Sequence, residues 1–445
     1  MQLRHNLPEL DDYISFLIKK VISNYIMSLS NSTKTLLVDP RSHNNTRTEF
    51  RLDDGVYASS IKLVDVGLTD ATALSKSFVY PTLNGVMQLI KNIYLYSDTT
   101  LIDSLQNIPQ YTALQGLKTS NQGSHLNRDL LLNGNGFTIQ SVDSVNARAG
   151  ALSQDDLKQV LNADLDTANN QIPIGADDEQ QSGTIMLSNI LSFLETVQVL
   201  PRIPNLRLVI EYDRAVANYF NDPADPIASP ALNVIRPTLV VEQLVNEPEM
   251  PDTLQIPFMQ TIVERFTVPA AETPANDSVP QRTSFKSQAF NQKFVRDITL
   301  LNSPSAVLAA AGDRNLTRLT RSVAQKNEII QLVVNNQNHL PDTGIDSPAK
   351  KLHYFNDTDR PLNLPLCAAM PTIKDASGNI IVNDSLVGQY TVTAVKLGKR
   401  VDDLRIEYQR LYGDTAPSQE AFTLLAYGKV ARTMSMQGGR VRLDY

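Results

Sequence analysis

The side chains that could ligate a metal, attack a substrate or exchange protons are few in this 445-residue sequence. The five histidines, His5, His43, His125, His339 and His353, are scattered. A zinc site built on one element needs two ligands a helical turn apart, as in H-x-x-x-H or H-E-x-x-H, and no histidine has such a partner. The single cysteine, Cys367, lies in the apolar run PLNLPLCAAMP, the setting of a small core residue rather than an activated thiolate. Asp177-Asp178-Glu179, Asp53-Asp54-Gly55 and Asp402-Asp403 are the dense acidic clusters, and each reads as a solvated loop. Glycine is sparse at 19 residues, and no G-x-x-x-x-G-K-[ST], G-x-G-x-x-G or G-x-S-x-G occurs, so a phosphate-cradling loop and a nucleophile elbow are absent. Nothing selects a pair of carboxylates for glycoside hydrolysis. No catalytic, cofactor-binding or metal-ligating residue is therefore assigned, and the chain is expected not to be an enzyme.

Composition limits the partners. The net charge is −7 without a block of one sign, which disfavours strong, direct nucleic-acid binding. One cysteine excludes a disulfide framework within the chain and fits assembly in a reducing compartment. No window approaches the apolar length of a membrane-spanning helix, and the N-terminus has no signal-peptide pattern. The length suggests two domains of about 200 residues each.

The elements follow from periodicity. Leu10, Tyr13, Ile14, Leu17, Ile18, Val21, Ile22 and Tyr25 recur at helical spacing, predicting an amphipathic helix in an N-terminal arm over 1–32. Met27 is an alternative start. Beyond Lys34 the pattern changes to short strands: Thr35–Pro40, Thr48–Leu52, and Ser60–Leu68 with Ile61, Leu63 and Val66 inward. Asn84-Gly85 then opens a strand with Met87, Leu89, Ile93 and Leu95 on one parity and Gln88, Asn92, Tyr94 and Tyr96 on the other; Ser97–Thr100 turns the chain, and Leu101-Ile102-Asp103 returns it. Residues 115–183, rich in Asn, Gln, Asp and Ser, are expected to form a long surface loop, with a helix over Asp155–Leu165. Ile185–Val197 reads as a helix, and Leu206–Tyr212 as a strand with Leu206, Leu208 and Ile210 inward.

Three prolines between Pro223 and Pro230 place a linker over 223–236, dividing a first domain, 33–222, from a second, 237–445. The second half repeats the first in outline. Glu328–Val334, a polar turn at Asn335-Asn336 and a return match the stretch around Ile93, and Leu404–Tyr408 echoes Leu206–Tyr212.

The order of turn, Ile-x-Leu strand, polar turn, Leu-Ile-Asp and a following tyrosine resembles the first jelly roll of the double jelly-roll, hexon-like major capsid proteins of adenovirus, virophages and polinton-like viruses. The resemblance implies a mainly β chain of two tandem eight-stranded antiparallel jelly rolls with an N-terminal helix and long surface loops. It further implies a capsid protein of the virion, assembled inside the host cell, that forms a homotrimer as a pseudo-hexagonal capsomer of an icosahedral double-stranded DNA virus. Its partners would be neighbouring capsomers, penton and minor capsid proteins, with an inner membrane or inner shell met through the N-terminal helix. A jelly-roll carbohydrate-binding or carbohydrate-active protein is the alternative, weakened by the absence of tryptophan. A host-attachment spike is a third reading, and its usual repeated shaft is missing.

Overall fold

The computed structural model describes residues 33–70, 85–112, 182–215, 231–245, 253–269, 281–304, 328–340, 393–410 and 422–445, with short pieces between them. The expected N-terminal helix, most of the 115–183 loop with its helix, and Cys367 lie outside the described residues.

Four antiparallel sheets organise these residues. Sheet I runs Gly183–Met186, Lys62–Val66, Thr238–Leu244, Tyr57–Ala58 and Val199–Leu200, with Thr33–Val38 also paired to Thr238–Leu244. Sheet II runs Ser42–His43, Arg47–Arg51, Leu206–Tyr212, Ile90–Ser97 and Thr100–Gln106. Sheet III is centred on the 16-residue strand Phe422–Gln437, flanked by Thr253–Val268 and Lys293–Pro304, with Thr393–Val401 beside the latter and Arg440–Asp444 beside Phe422–Gln437. Sheet IV runs Gln281–Lys286, Leu404–Arg410, Glu328–Val334 and Gln337–Asn338.

Alternation explains the stacking in each half. Phe50, Ile93, Leu95, Leu208 and Ile210 from sheet II share one buried cluster with Leu63, Leu239 and Val241 from sheet I. Val295, Ile298, Val395 and Ala426 from sheet III share another with Leu332, Ile406 and Tyr408 from sheet IV. Period-2 side chains that meet across two sheets are the core of a sandwich. The expected repeat is visible in the pairing. Leu206–Tyr212 lies against Ile90–Ser97 as Leu404–Arg410 lies against Glu328–Val334, with Leu206 opposite Ser97 and Leu404 opposite Val334. Each hairpin then turns through asparagine or aspartate at positive φ, Asp98 at 50° in one and Asn335 and Asn336 at 54° and 62° in the other.

Several sequence expectations need correction. The strand around Ile93 begins only at Ile90; Gly85–Leu89 is a 3₁₀ turn with Val86, Met87, Gln88 and Leu89 all buried, so no solvent-facing parity exists there. Ile185–Val197 is not one helix. Gly183–Met186 is a strand on Lys62–Val66, Leu187–Asn189 is a 3₁₀ turn, and the α-helix, here α1, is only Ser192–Thr196. Its apolar residues satisfy helical and extended spacing alike, and the open edge of Lys62–Val66 decides for Ile185.

The 223–236 linker and the start of a second domain at 237 are also overturned. Leu232–Val234 pairs with Leu68–Asp70, and Thr238–Leu244 sits inside sheet I with Leu239 opposite Leu63. Val234 is further held by Asn45, whose Oδ1 accepts its N–H at 2.8 Å. Pro223, Pro226 and Pro230 lie outside the described residues, and the chain beyond them adds strands to the first half rather than opening a second. The passage from sheet I to sheet III comes between Leu244 and Thr253.

Candidate functional site: the seam between the two sandwiches

The two sandwiches meet where strand Thr253–Val268 of sheet III crosses α1 and the edge strand Thr100–Gln106 of sheet II. Apolar groups make the first contact: the Phe193 and Phe258 rings stand edge to face at 5.2 Å, and Tyr111 and Tyr427 have centroids 5.5 Å apart. Phe258, Leu425, Tyr427 and Met434 belong to the same buried cluster as the sheet I and II core, so the seam is continuous with that interior.

A polar array is set into it. Asp103, 1 % exposed, follows Leu101 and Ile102 on the edge strand, opposite Leu95. Its Oδ1 accepts the Ser104 N–H at 2.8 Å and its Oδ2 accepts the Phe193 N–H of α1 at 2.9 Å, and the Gln260 side chain is among the groups that hold its carboxyl down. Burial pushes its carboxyl up to about 6, against the pull of these donors and of the Arg432 guanidinium. Arg432 reaches from Phe422–Gln437, its Nη1 donating to the Ile102 carbonyl and to Gln260 Oε1, each at 3.0 Å. The same Oε1 accepts the Tyr445 hydroxyl at 3.2 Å. Arg432 and Lys293 stack on the Tyr445 ring at 4.7 and 4.3 Å. Lys293 donates to the Ala289 carbonyl at 2.6 Å, and burial lowers its pKa, helped by the Arg432 charge.

A second node lies at the end of the edge strand. Asn107, at φ 55°, turns the chain into the helix that begins at 108. Its carbonyl accepts the Tyr427 hydroxyl at 3.0 Å, its Oδ1 accepts Arg265 Nη2, and its N–H donates to Asn92 Oδ1 at 3.2 Å. Asn92 in turn donates to Glu211 at 2.8 Å, tying the node into sheet II. Burial raises the Tyr427 phenol, so it stays a neutral donor. Ser192 and Thr261 hydroxyls, 3.3 Å apart, link the nodes.

These groups hold surfaces together. The carboxylate is enclosed by donors, and its acceptor oxygens point at backbone and amide N–H groups, which gives it nothing to abstract a proton from. Sets of buried hydrogen bonds such as these fix one relative orientation of two packed bodies, because a shift leaves several polar groups unpaired together.

The residues with chemical potential in the sequence go elsewhere. His43 Nδ1 lies 2.8 Å from the Thr48 hydroxyl and its Nε2 3.2 Å from the Val234 carbonyl; His339 Nε2 donates to the Lys396 carbonyl at 2.8 Å; the His353 ring lies edge-on to Tyr354. Asp53 offers its carbonyl to the Tyr57 hydroxyl, while the Asp402 and Asp403 amides donate to Asn335 Oδ1. Asp177–Glu179 lie outside the described residues. Among the described residues, no three His, Cys, Asp or Glu side chains converge as a metal site. The seam residues Asp103, Gln260 and Arg432 were legible by one signal only: each is polar or charged on the inward parity of its strand, between Leu101 and Leu105, Phe258 and Ile262, and Val430 and Met434.

No family model matches the sequence, and no curated protein matches it either. Solved structures do. The cryo-EM structure of the Sputnik virophage superposes with a TM-score of 0.59 at 10% identity, over 93% of this chain and 88% of that one. The chain is a double jelly roll. PBCV-1 VP54 fitted into the virophage Sputnik reconstruction gives 0.51 at 9% identity, over 93% of this chain and 98% of that chain. The PBCV-1 virus capsid gives 0.50 at 11% identity, over 93% and 96%. Sheets I and II form the first roll and sheets III and IV the second, and the Asp103 and Asn107 nodes are the joint of this double jelly roll.

Proposed function

We propose that this double jelly roll is the major capsid protein of an icosahedral double-stranded DNA virus, a non-enzymatic shell subunit located in the virion. One observation carries the reading: two rolls with the same central strand order are clasped through a buried polar seam into one body. Three such chains around an axis present six similar sectors, so one gene product fits sites of near six-fold symmetry. The solved structures it resembles, a virophage and a viral capsid, support the same role. The trimer contacts neighbouring capsomers, and penton and minor capsid proteins fill the remaining positions of the lattice. The N-terminal arm reaches an inner shell or membrane, and residues 115–183 lie on the outer surface of the trimer. The shell protects the genome without binding it strongly, consistent with the net charge of −7.

Light scattering on the purified chain tests the assembly. Obligate interfaces of this kind bury roughly 2,000–5,000 Å² and do not dissociate at micromolar concentration. A trimer of pseudo-hexagonal outline in negative stain is expected; a folded chain that stays monomeric overturns the reading.

A further inference from the structure

The two rolls match strand for strand. In sheet III the order Thr253–Val268, Phe422–Gln437, Lys293–Pro304, Thr393–Val401 repeats the order Thr33–Val38, Thr238–Leu244, Lys62–Val66, Gly183–Met186 of sheet I, with every pairing antiparallel. In sheet IV the order Gln281–Lys286, Leu404–Arg410, Glu328–Val334, Gln337–Asn338 repeats Arg47–Arg51, Leu206–Tyr212, Ile90–Ser97, Thr100–Gln106 of sheet II. Each roll therefore has its first strand at the edge of one sheet and the return strand of its hairpin at the edge of the other. The match extends past the return strand. Leu105 lies opposite Ile93 as Ile345 bridges to Ile330, and a short helical stretch then carries Tyr111 in the first roll and Tyr354 in the second.

The seam joins one pair of these edges. It sets the first strand of the second roll, Thr253–Val268, against the return strand of the first roll and α1, through Phe258 with Phe193, Thr261 with Ser192 and Arg265 with Asn107. The complementary pair of edges is left open. Thr33–Val38 turns Leu36 and Val38 onto the core of the first roll, while Leu37, on the other parity with the exposed Thr33 and Thr35, is 73 % exposed. Its strand neighbour among the described residues is Thr238–Leu244 on one side only. On the second roll Gln337 and Asn338 are exposed, and Tyr354 is only half-buried, whereas its counterpart Tyr111 is 6 % exposed against Tyr427. An edge strand carrying an exposed apolar side chain is a template for pairing with another chain.

We propose that Thr33–Val38, through Leu37, docks on the open edge of sheet IV, at Gln337–Asn338 and Tyr354, of a second copy of this chain, repeating between chains the seam made within each. The chemistry of the two faces agrees: the Thr33 and Thr35 hydroxyls around Leu37 meet neutral amides, and no like charges are forced together. One chain leaves both halves of the contact exposed, so a further copy supplies the partner. Such a contact is heterologous, and it closes into a ring when its rotation divides a full turn. Three chains then alternate seams within and between subunits. The proposal rests on the trimer proposed above and names the surface that forms it.

Leu37→Asp tests it, because a side chain already in solvent can be exchanged without disturbing the monomer. Light scattering should find the natural chain trimeric and Leu37→Asp, with unchanged circular dichroism, dissociating at concentrations about tenfold higher or more, the factor that a leucine lost from an interface costs. Independently, with Cys367→Ser removing the single natural thiol, Leu37→Cys and Asn338→Cys in one chain should give covalent trimers with a short bismaleimide on a denaturing gel, and neither new cysteine alone should do so. The cross-link decides where Leu37→Asp fails to fold. A natural trimer that survives Leu37→Asp unchanged, or a double-cysteine chain that yields no covalent species beyond the monomer, overturns the docking and leaves the capsid reading in place; the strand is then covered by another part of its own chain or by a different protein. A folded natural chain that stays monomeric overturns both.

Discussion

Replacing Arg432 by Met tests how much the joint contributes to the fold. The thioether keeps most of the buried stem but none of the charge. Two hydrogen bonds disappear, to the Ile102 carbonyl and to Gln260 Oε1, both 3.0 Å in the intact seam. Hydrogen bonds to charged groups contribute about 1.5–3 kcal/mol each. Losing two such bonds removes a large part of an ordinary domain stability of about 5–15 kcal/mol. The pH dependence separates this from a packing defect. Arg432 is one of the influences holding the Asp103 carboxyl down, so without it that carboxyl rises further above 6. Well above that pH the variant carries an ionised, 1 % exposed carboxylate with a weakened environment; below it, the proton removes the charge. Urea unfolding at several pH values should therefore show the larger loss on the alkaline side, with the first-roll transition separating from the second as the joint loosens. A loss under about 1 kcal/mol, the value of an exposed ion pair, or one independent of pH, would refute the role given to Arg432.

Further outcomes follow from the same geometry. Ile93, fully buried between sheets I and II, should not tolerate Asp, whose unpaired charge costs several kcal/mol, whereas Tyr94→Ser, losing a half-buried hydroxyl bonded to Glu211 at 3.3 Å, should leave a folded chain and, on the assembly proposed above, weaker trimers; recovery of soluble protein and circular dichroism report the folding, and light scattering the assembly. Gly428→Ala should destabilise the second roll by about 1–3 kcal/mol or more, because the new Cβ would stand 2.2 Å from Phe290 Cε1 in a filled core, and thermal unfolding measures it. Asp103 itself should make stability fall as pH rises: with a folded pKa near 6 against an ordinary 3.8, its contribution declines between those values by about 3 kcal/mol and is flat outside them. The stability of the natural chain relative to Asp103→Asn, followed across that window, should show this decline; a rise would contradict the sign. Limited proteolysis of assembled particles should cut within 115–183 before it cuts Ile90–Ser97 or Leu206–Tyr212.

The sequence by itself determined the class of the fold and the strands whose neighbours are near or repeat. Period-2 alternation in Leu206–Tyr212, Glu328–Val334 and Leu404–Tyr408, with polar turns at Asp98 and Asn335-Asn336, is enforced by residues within one strand or one hairpin, and these elements stand where the pattern puts them. What the tertiary structure alone decided depends on partners far away in the chain. Thr238–Leu244 reads as a good strand in either roll, and only the hydrogen-bonding edges of Lys62–Val66 and Thr33–Val38 assign it to the first. Ile185 became a strand residue because Leu63 lay opposite it, although its own neighbours suited a helix. The seam follows the same logic. Asp103, Gln260 and Arg432 show in the sequence only as polar residues on inward parities, a mark that fits a buried ion pair, a bulge or an edge equally well. Their meaning arises when three strands separated by more than a hundred residues converge and exclude water, for only there does an unpaired carboxylate cost enough to dictate its neighbours.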